Sequence, residues 1–304
     1  MPQPQSAICA EGEAFGLFLT LMLSKDAASA GAVRHLAAAL PALTSELAAQ
    51  LGEPTLVSAI GFGAGVWPRL FGSAAPAGLV SFERLADGPR EAPATPADLF
   101  IHIHSARHDA NFALARAVMT RLGGAVTVAE EIHGFKNQGG RDLTGFVDGT
   151  ENPKGEDRPD AALVAEGDFA GGSYVSIQRY VHALDRWSHL AVSEQEGVIG
   201  RTKADDLELA DDVKPASAHI ARVVIEEDGE ELQILRHSLP YGTTAEHGLY
   251  FVAYGASPHP FRRMLERMVL RDADGVYDRM LDFSRPVTGA AFFVPAVEML
   301  RALA

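Results

Sequence analysis

The order of apolar runs along these 304 residues limits the possible folds more than any other feature. Phe15 to Leu23 is a continuous apolar run of strand length. Ala27 to Leu51 is rich in alanine and leucine, has helical spacing and holds one proline, Pro41. Leu56 to Phe62 predicts a second strand. Gly72 to Asp98, with many Pro, Gly and Ala, reads as a long connection. Leu99 to His104 alternates as a strand does, His108 to Leu122 is an amphipathic helix, and Val126 to Phe135 is a strand. The second half repeats the order loosely. Tyr174 to Ala183 is strand-like, and Ser193 to Ile199 is a short helix. Ile220 to Glu226 and Leu232 to Leu239 predict a hairpin across Glu227-Asp228-Gly229-Glu230. Leu249 to Tyr254 is a strand, Phe261 to Val269 a helix, and Ala291 to Val294 a short final strand. Two α+β units with antiparallel sheets follow from this pattern. The polar, glycine-rich segment Lys136 to Asp142 suits a connector, which sets expected domains at 1–140 and 141–304.

An apolar fraction of 47% fits a globular chain, and its length has room for two domains. The net charge of −14 argues against nucleic acid as a partner, since phosphate binding needs clustered Lys and Arg. The same field slows anionic substrates unless a local arginine patch overrides it. One cysteine, Cys9, excludes a disulfide scaffold, iron–sulfur clusters and Cys-rich zinc sites, and is expected to be a small buried residue. Met1 to Gln5 carries no basic leader, and Phe15 to Leu23 is too short to span a bilayer. No membrane association and a cytoplasmic location are therefore expected.

One stretch carries chemistry: Gly145-Phe146-Val147-Asp148-Gly149-Thr150-Glu151-Asn152-Pro153. It sets one carboxylate between two glycines, which reach positive φ and let a ligand approach the backbone. An isolated Asp-Gly is usually a turn with an Asx-type bond. The whole run, however, resembles the signature loop of the dye-decolorizing peroxidases, which are haem enzymes. The resemblance extends from about Ser6 onward and is densest from Gly145 to Gly289. It implies two ferredoxin-like domains, with haem b held mainly by the second, and points to the intracellular bacterial branch.

Carried over motif by motif, the resemblance gives these residues roles. His219, in Lys214-Pro215-Ala216-Ser217-Ala218-His219, stands where the family has its proximal iron ligand, just before a strand. None of the other ten of the 11 histidines has comparable context. His102 and His104 share a strand face without an evident third ligand, and a solvated or partly buried face is expected there. An axial imidazole needs a partner for its other ring nitrogen. Asp282 resembles the family's candidate, though it also fits a turn or cap residue. In Leu235-Arg236-His237-Ser238-Leu239, alternation puts Ile234, Arg236 and Ser238 on one face. Arg236 then suits stabilising peroxide and the leaving oxygen, or else is a surface ion-pair partner. Many relatives carry Asn where Ser238 stands. Asp148 is the candidate proton acceptor, and Gly149, Thr150 and Glu151 are implied to border the cofactor. Arg201 fits a haem propionate or an exposed charge run, and Phe251 fits the haem face or plain strand core.

The function implied is a peroxidase. Hydrogen peroxide oxidises the haem by two electrons, and a small phenolic or dye-like aromatic reductant returns them one at a time. A homo-oligomer is expected. A second reading is a haem-handling protein for storage, transfer or iron release with incidental peroxidase activity, but simple binding needs neither Asp148 nor Arg236. A third is an α+β module with no cofactor.

Overall fold

The computed structural model describes residues 1–72 and 74–304. Its frame is ten strands, named here β1 to β10, with five principal helices, α1 to α5. The first half is β1 (Phe15–Leu23), α1 (Ala27–Leu51), β2 (Val57–Phe62), β3 (Leu99–Ser105), α2 (His108–Leu122) and β4 (Val126–Phe135). The second is β5 (Ser173–His182), α3 (Val192–Ile199), α4 (His219–Val223), β6 (Leu235–Arg236), β7 (Leu239–Gly242), β8 (His247–Gly255), α5 (His259–Val269), β9 (Ser284–Pro286) and β10 (Ala290–Val294). The limits of α1 have local causes. The Asp26 side chain accepts from the Ser29 amide at 2.9 Å, and Gly52 closes the helix in the left-handed region at φ 62°.

Each half is a β-α-β-β-α-β unit with antiparallel neighbours. In the first the strand order is β4-β1-β3-β2; in the second it is β7-β8-β5-β10, with β6 continuing β7 along β8 and β9 beside β5. These are the two ferredoxin-like units. They meet edge to edge at two seams, Tyr241 opposite Gly134 and Phe293 opposite Phe62, so the sheets close into one ring. Gly134 permits the first seam: a Cβ there would sit 2.7 Å from Leu239 Cβ.

Strand alternation then sorts the residues into layers. Leu17, Leu19 and Leu21 of β1 and Leu99, Ile101 and Ile103 of β3 pack outward beneath α1 and α2. Phe18, Phe100, Val175, Ile177, Tyr250, Val252, Tyr254 and Phe292 point inward and fill the space between the sheets. The outer face of the second sheet, with Ser176, Gln178, Leu249 and Phe251, is left to line a cavity beneath α4 and α5.

Three expectations are corrected. Residues His219–Val223 form a helix, and only Glu226–Glu227 and Glu230–Glu231 pair as a hairpin. Ile220, Val223 and Val224 satisfy helical as well as extended spacing, and short apolar runs do not distinguish the two. His102 and His104 are buried rather than solvated, because β3 has both faces covered. Cys9 is half-buried. No helix among the described residues is long and apolar enough to cross a membrane.

His102 and His104 meet His237 inside the ring, with ring centroids 4.9 to 5.5 Å apart. His102 Nδ1 lies 2.9 Å from the Tyr254 hydroxyl, and His237 Nε2 lies 2.8 Å from the Ile8 carbonyl oxygen. Burial holds all three below the usual imidazole range, His104 at about 3 and His237 at about 4. Their folded-state pKa values lie below the unfolded ones, so the stability they preserve is complete above about pH 6.5 and is lost as pH falls below it. Each group costs about 1.4 kcal/mol per pH unit in that window. Urea unfolding between about pH 7.5 and 5 should show stability falling with pH, and His104→Leu should remove about one proton's worth of that slope. An unchanged slope in the variant contradicts the assignment.

Candidate active site

The cavity on the outer face of the second sheet brings together the residues singled out by their motifs. His219, Asp148, Gly149, Thr150, Glu151, Arg201, Arg236 and Phe251 all line it. His219 opens α4 directly after Ala218, whose backbone is extended. Its Nδ1 stands 2.6 Å from Oδ2 of Asp278, a residue with 0% exposure. The other oxygen of Asp278 accepts from the Met280 amide at 2.8 Å and so caps the turn that follows. One carboxylate thus fixes both a turn and an imidazole. Burial opposes charge on the His219 ring, but Asp278 outweighs it and raises the pKa above the usual imidazole value.

Asp282, the sequence candidate for this partner, is elsewhere. Its carboxylate accepts from the Tyr277 hydroxyl at 3.1 Å and faces Arg279 Nε at 3.3 Å. One helical turn along the chain separates it from Asp278, so it lies at the far end of the same short 3-10 turn. The turn reading of Asp282 is the one the structure supports.

Asp148 sits in a loop tied down on both sides. Gly145 and Gly149 have φ of 89° and 86°, where side chains are strained. The Asp148 amide donates to the Gly140 carbonyl at 3.0 Å. Asn152 exchanges two hydrogen bonds with the backbone of Arg236, receiving its amide at 2.8 Å and donating to its carbonyl at 2.9 Å. That clamp holds loop and strand β6 in register, and Arg236 Nη1 donates to Asp148 Oδ1 at 3.2 Å. Burial pushes the Asp148 carboxyl above the usual range, with Arg236 partly offsetting it.

Alternation along residues 234–239 holds in part. Leu235 and His237 are buried between the sheets, and Ile234 and Arg236 face the cavity. Ser238 is not among the cavity-lining residues; its Oγ accepts from the Val252 amide at 3.3 Å in the gap between β6 and β7. Arg201 is ion-paired with Glu151, and its Nη1 donates to the Asp206 carbonyl at 2.7 Å. Thr150 donates to the Asp206 carboxylate. Glycine loop and Arg201 segment thereby close one side of the cavity. Phe251 and Leu249 form wall, not enclosed core, because their face of β8 is the one left to the cavity.

Several lining residues carried no sequence signal. Met264 and Met268 from α5, with Met280, supply soft apolar surface. Asp142, His182 and Ser284 form a buried chain: His182 Nε2 lies 3.2 Å from Asp142 Oδ1, and His182 Nδ1 lies 2.8 Å from Ser284 Oγ. They are distant in sequence, and only the β5–β9 pairing, which sets Ser284 opposite His182, reveals them.

The donor set is one imidazole with a carboxylate behind it, in an apolar cleft that also holds an arginine–aspartate pair. A single imidazole suffices for a metal that brings its own equatorial ligands, as in a macrocycle. The apolar walls and Arg201 fit a flat apolar group with an anionic edge. Asp148 and Arg236 add a proton acceptor and a fixed cation.

Comparison with known proteins agrees with this geometry. The sequence profile described as Dyp-type peroxidase, N-terminal, matches residues 5–136, and that described as Dyp-type peroxidase, C-terminal, matches 139–299. A dye-decolorizing peroxidase of Rhodococcus erythropolis is 43% identical over 305 residues, covering 99% of this chain and 88% of its own. A DypB variant of Rhodococcus jostii RHA1, solved in complex with heme, superposes with a TM-score of 0.94 at 39% identity over 98% of both chains. The encapsulated DyP-type peroxidase of Mycobacterium smegmatis gives a TM-score of 0.94 at 40% identity, over 99% of this chain and 98% of that one. The chain belongs to the dye-decolorizing peroxidase family and is a peroxidase of the oxidoreductase class.

Proposed function

We propose that the cavity would hold haem b, with His219 Nε2 the atom that would bind its iron, and that the enzyme uses hydrogen peroxide to oxidise small phenolic or dye-like aromatic donors. The observation that carries this reading is that His219, backed by the buried Asp278, faces the same cleft as Asp148 and Arg236. Phe251, Leu249 and the three methionines would contact the ring faces and edges, and Arg201 with the Gly149–Glu151 segment would border the propionates. Haem, when bound, supplies two-electron redox chemistry towards peroxide.

The protein supplies the rest. Asp278 holds the Nδ1 proton of His219 and makes the ring a more electron-rich ligand, which favours higher oxidation states. Asp148, as carboxylate, takes the proton that peroxide must lose. The Arg236 guanidinium stabilises negative charge on the departing oxygen and orients Asp148 through their hydrogen bond. Ser238 acts by bonding strand β8 next to Arg236. The apolar walls exclude water and strengthen these charge interactions. Asp148 and Arg236 favour turnover over a haem-carrying role, because retention alone would not need a proton acceptor paired with a cation.

The same reading divides the chain at about residue 140 into 1–140 and a cofactor-holding 141–304, an arrangement supported by the two narrow seams between the sheets. It also includes a homo-oligomer. The likeness to an encapsulated relative is compatible with higher assembly.

Three outcomes check it. Asp278→Asn should retain haem but shift its reduction midpoint to a more positive potential, whereas Asp282→Asn should leave it unchanged. Equal midpoints in both variants and the wild type, measured by spectroelectrochemistry, contradict the partner assignment. Arg236→Leu should bind haem normally yet react with peroxide slower by about 10² or more; stopped-flow rates within a few-fold of wild type count against its role. Asp148 must be ionised to act, so peroxide activation should be full above its raised pKa and fall as pH drops through it. Asp148→Asn should lower the rate and flatten that dependence between about pH 4 and 7. A wild-type rate in the Asn variant across this range removes Asp148 as the acceptor.

A further inference from the structure

A second cavity, of about 310 Å³, lies against the end of β5 and shares two residues with the first, His182 and Ser284. These two are hydrogen-bonded at 2.8 Å and stand opposite each other in the β5–β9 pairing. A single layer of side chains therefore separates the two spaces. The rest of the second cavity has a definite character. Phe283, Leu281, Val181, Pro89 and Pro286 give it apolar surface.

Its charges do not balance. Of the lining carboxylates, Glu91 is taken by Arg84 at 2.6 Å, and Asp282 by Arg279 and the Tyr277 hydroxyl. Arg90 is taken by Asp87 at 2.9 Å and by the Val269 carbonyl at 3.0 Å. Arg186 and Arg285 are exposed, and neither has an ion-pair or side-chain hydrogen-bond partner among the described residues. The Arg186 guanidinium carbon lies 5.5 Å from the centre of the Phe283 ring, beside the apolar floor. Two cations without a carboxylate partner among the described residues thus border one apolar pocket in a chain of net charge −14. Here is the local arginine patch that an anionic substrate would need.

We propose that this cavity is a reductant subsite for phenols that carry a carboxylate or sulfonate. The acid group pairs with Arg186 and Arg285, and the ring lies on Phe283 with its hydroxyl end towards the His182–Ser284 layer. The inference rests on the peroxidase reading. Each phenol loses one electron, which crosses that layer towards the main cavity, where haem would supply the redox chemistry that reduces peroxide. Its hydroxyl proton passes to solvent water that enters the cavity beside the ring, and a phenoxyl radical leaves. Two phenols supply the two electrons and two protons with which one peroxide becomes two waters. The donor need not enter the main cavity, so peroxide and reductant use separate spaces.

The test uses the haem-loaded enzyme and the double variant Arg186→Gln/Arg285→Gln, neither residue belonging to the peroxide-activating set. Calorimetry without peroxide measures binding of 4-methoxybenzoate, which has the acid group but no oxidisable hydroxyl. The double variant should weaken it by about tenfold or more, and added salt should weaken wild-type binding. In turnover with 4-hydroxybenzoate, KM should rise by a similar factor while the peroxide reaction and the ferric spectrum stay as in wild type. KM for neutral phenol should change by less than about twofold. Equal 4-methoxybenzoate affinities in wild type and variant overturn the subsite. So does a Soret shift on binding that survives the double substitution, which would put the ligand in the main cavity. Arginine-dependent binding of the methoxy compound with no turnover of any phenol by the wild type overturns instead the redox assignment, and with it the peroxidase reading.

Discussion

The bond on which the site depends is the one between His219 Nδ1 and the buried carboxylate of Asp278. A carboxylate with 0% exposure is costly unless it is fully partnered. Here each oxygen has its own donor: the His219 ring on one, the Met280 amide on the other. Removing the imidazole would strand half of that carboxylate, and removing the carboxylate would free the ring to rotate. The orientation of His219, the start of the Arg279–Asp282 turn and the entry into β9 are therefore set together. Since β9 carries Ser284, which bonds His182, the same constraint reaches the wall between the two cavities.

The two halves share one strand order and use it differently. In the first, the outer face of the sheet is sealed by α1 and α2, and the helices and strands bury leucines against each other. In the second, α4 and α5 stand over the corresponding face but leave it open, and the strands present Ser176, Gln178, His182, Leu249 and Phe251 to the gap. Inner faces of both sheets supply the rigid core between them. A site built on strands backed by Phe18, Tyr250 and Tyr254 is held more firmly than one carried on loops alone. The loop Gly145 to Pro153, which also lines the cavity, is fastened to strand β6 by the Asn152 clamp.

Much of this was legible in the sequence, for identifiable reasons. Long elements with one clear period, such as α1, α2, β1 and β4, appear where their spacing puts them, because each has many residues voting for one period. Asp148 and Arg236, which the structure brings together at the cavity, each lie within a contiguous motif and so could be singled out from the sequence. Asp278 was not, because it and Asp282 bracket the same turn, and what separates them is which one caps it. Its place directly before Arg279-Met280 is an N-cap signal that could have found it. His102 and His104 were misjudged because their face of β3 is covered by a second sheet from the other half of the chain, including Tyr254, 152 positions from His102. The Asp142–His182–Ser284 chain joins three segments distant in sequence, and strand pairing is what sets Ser284 opposite His182. The helix at His219–Val223 defeated periodicity because five residues are too few to reveal a period.

On the proposed reading, this cleft makes bound haem react productively with peroxide rather than merely retaining it. The most direct measurement is the absorption spectrum of the haem-loaded protein, taken before and after one equivalent of hydrogen peroxide and then during titration with a one-electron donor. A productive site should give a rapid change of the Soret band at one equivalent and full return to the ferric spectrum after two electrons. Bleaching of the band, or no change on adding peroxide, would contradict it and favour a protein that carries haem without using it.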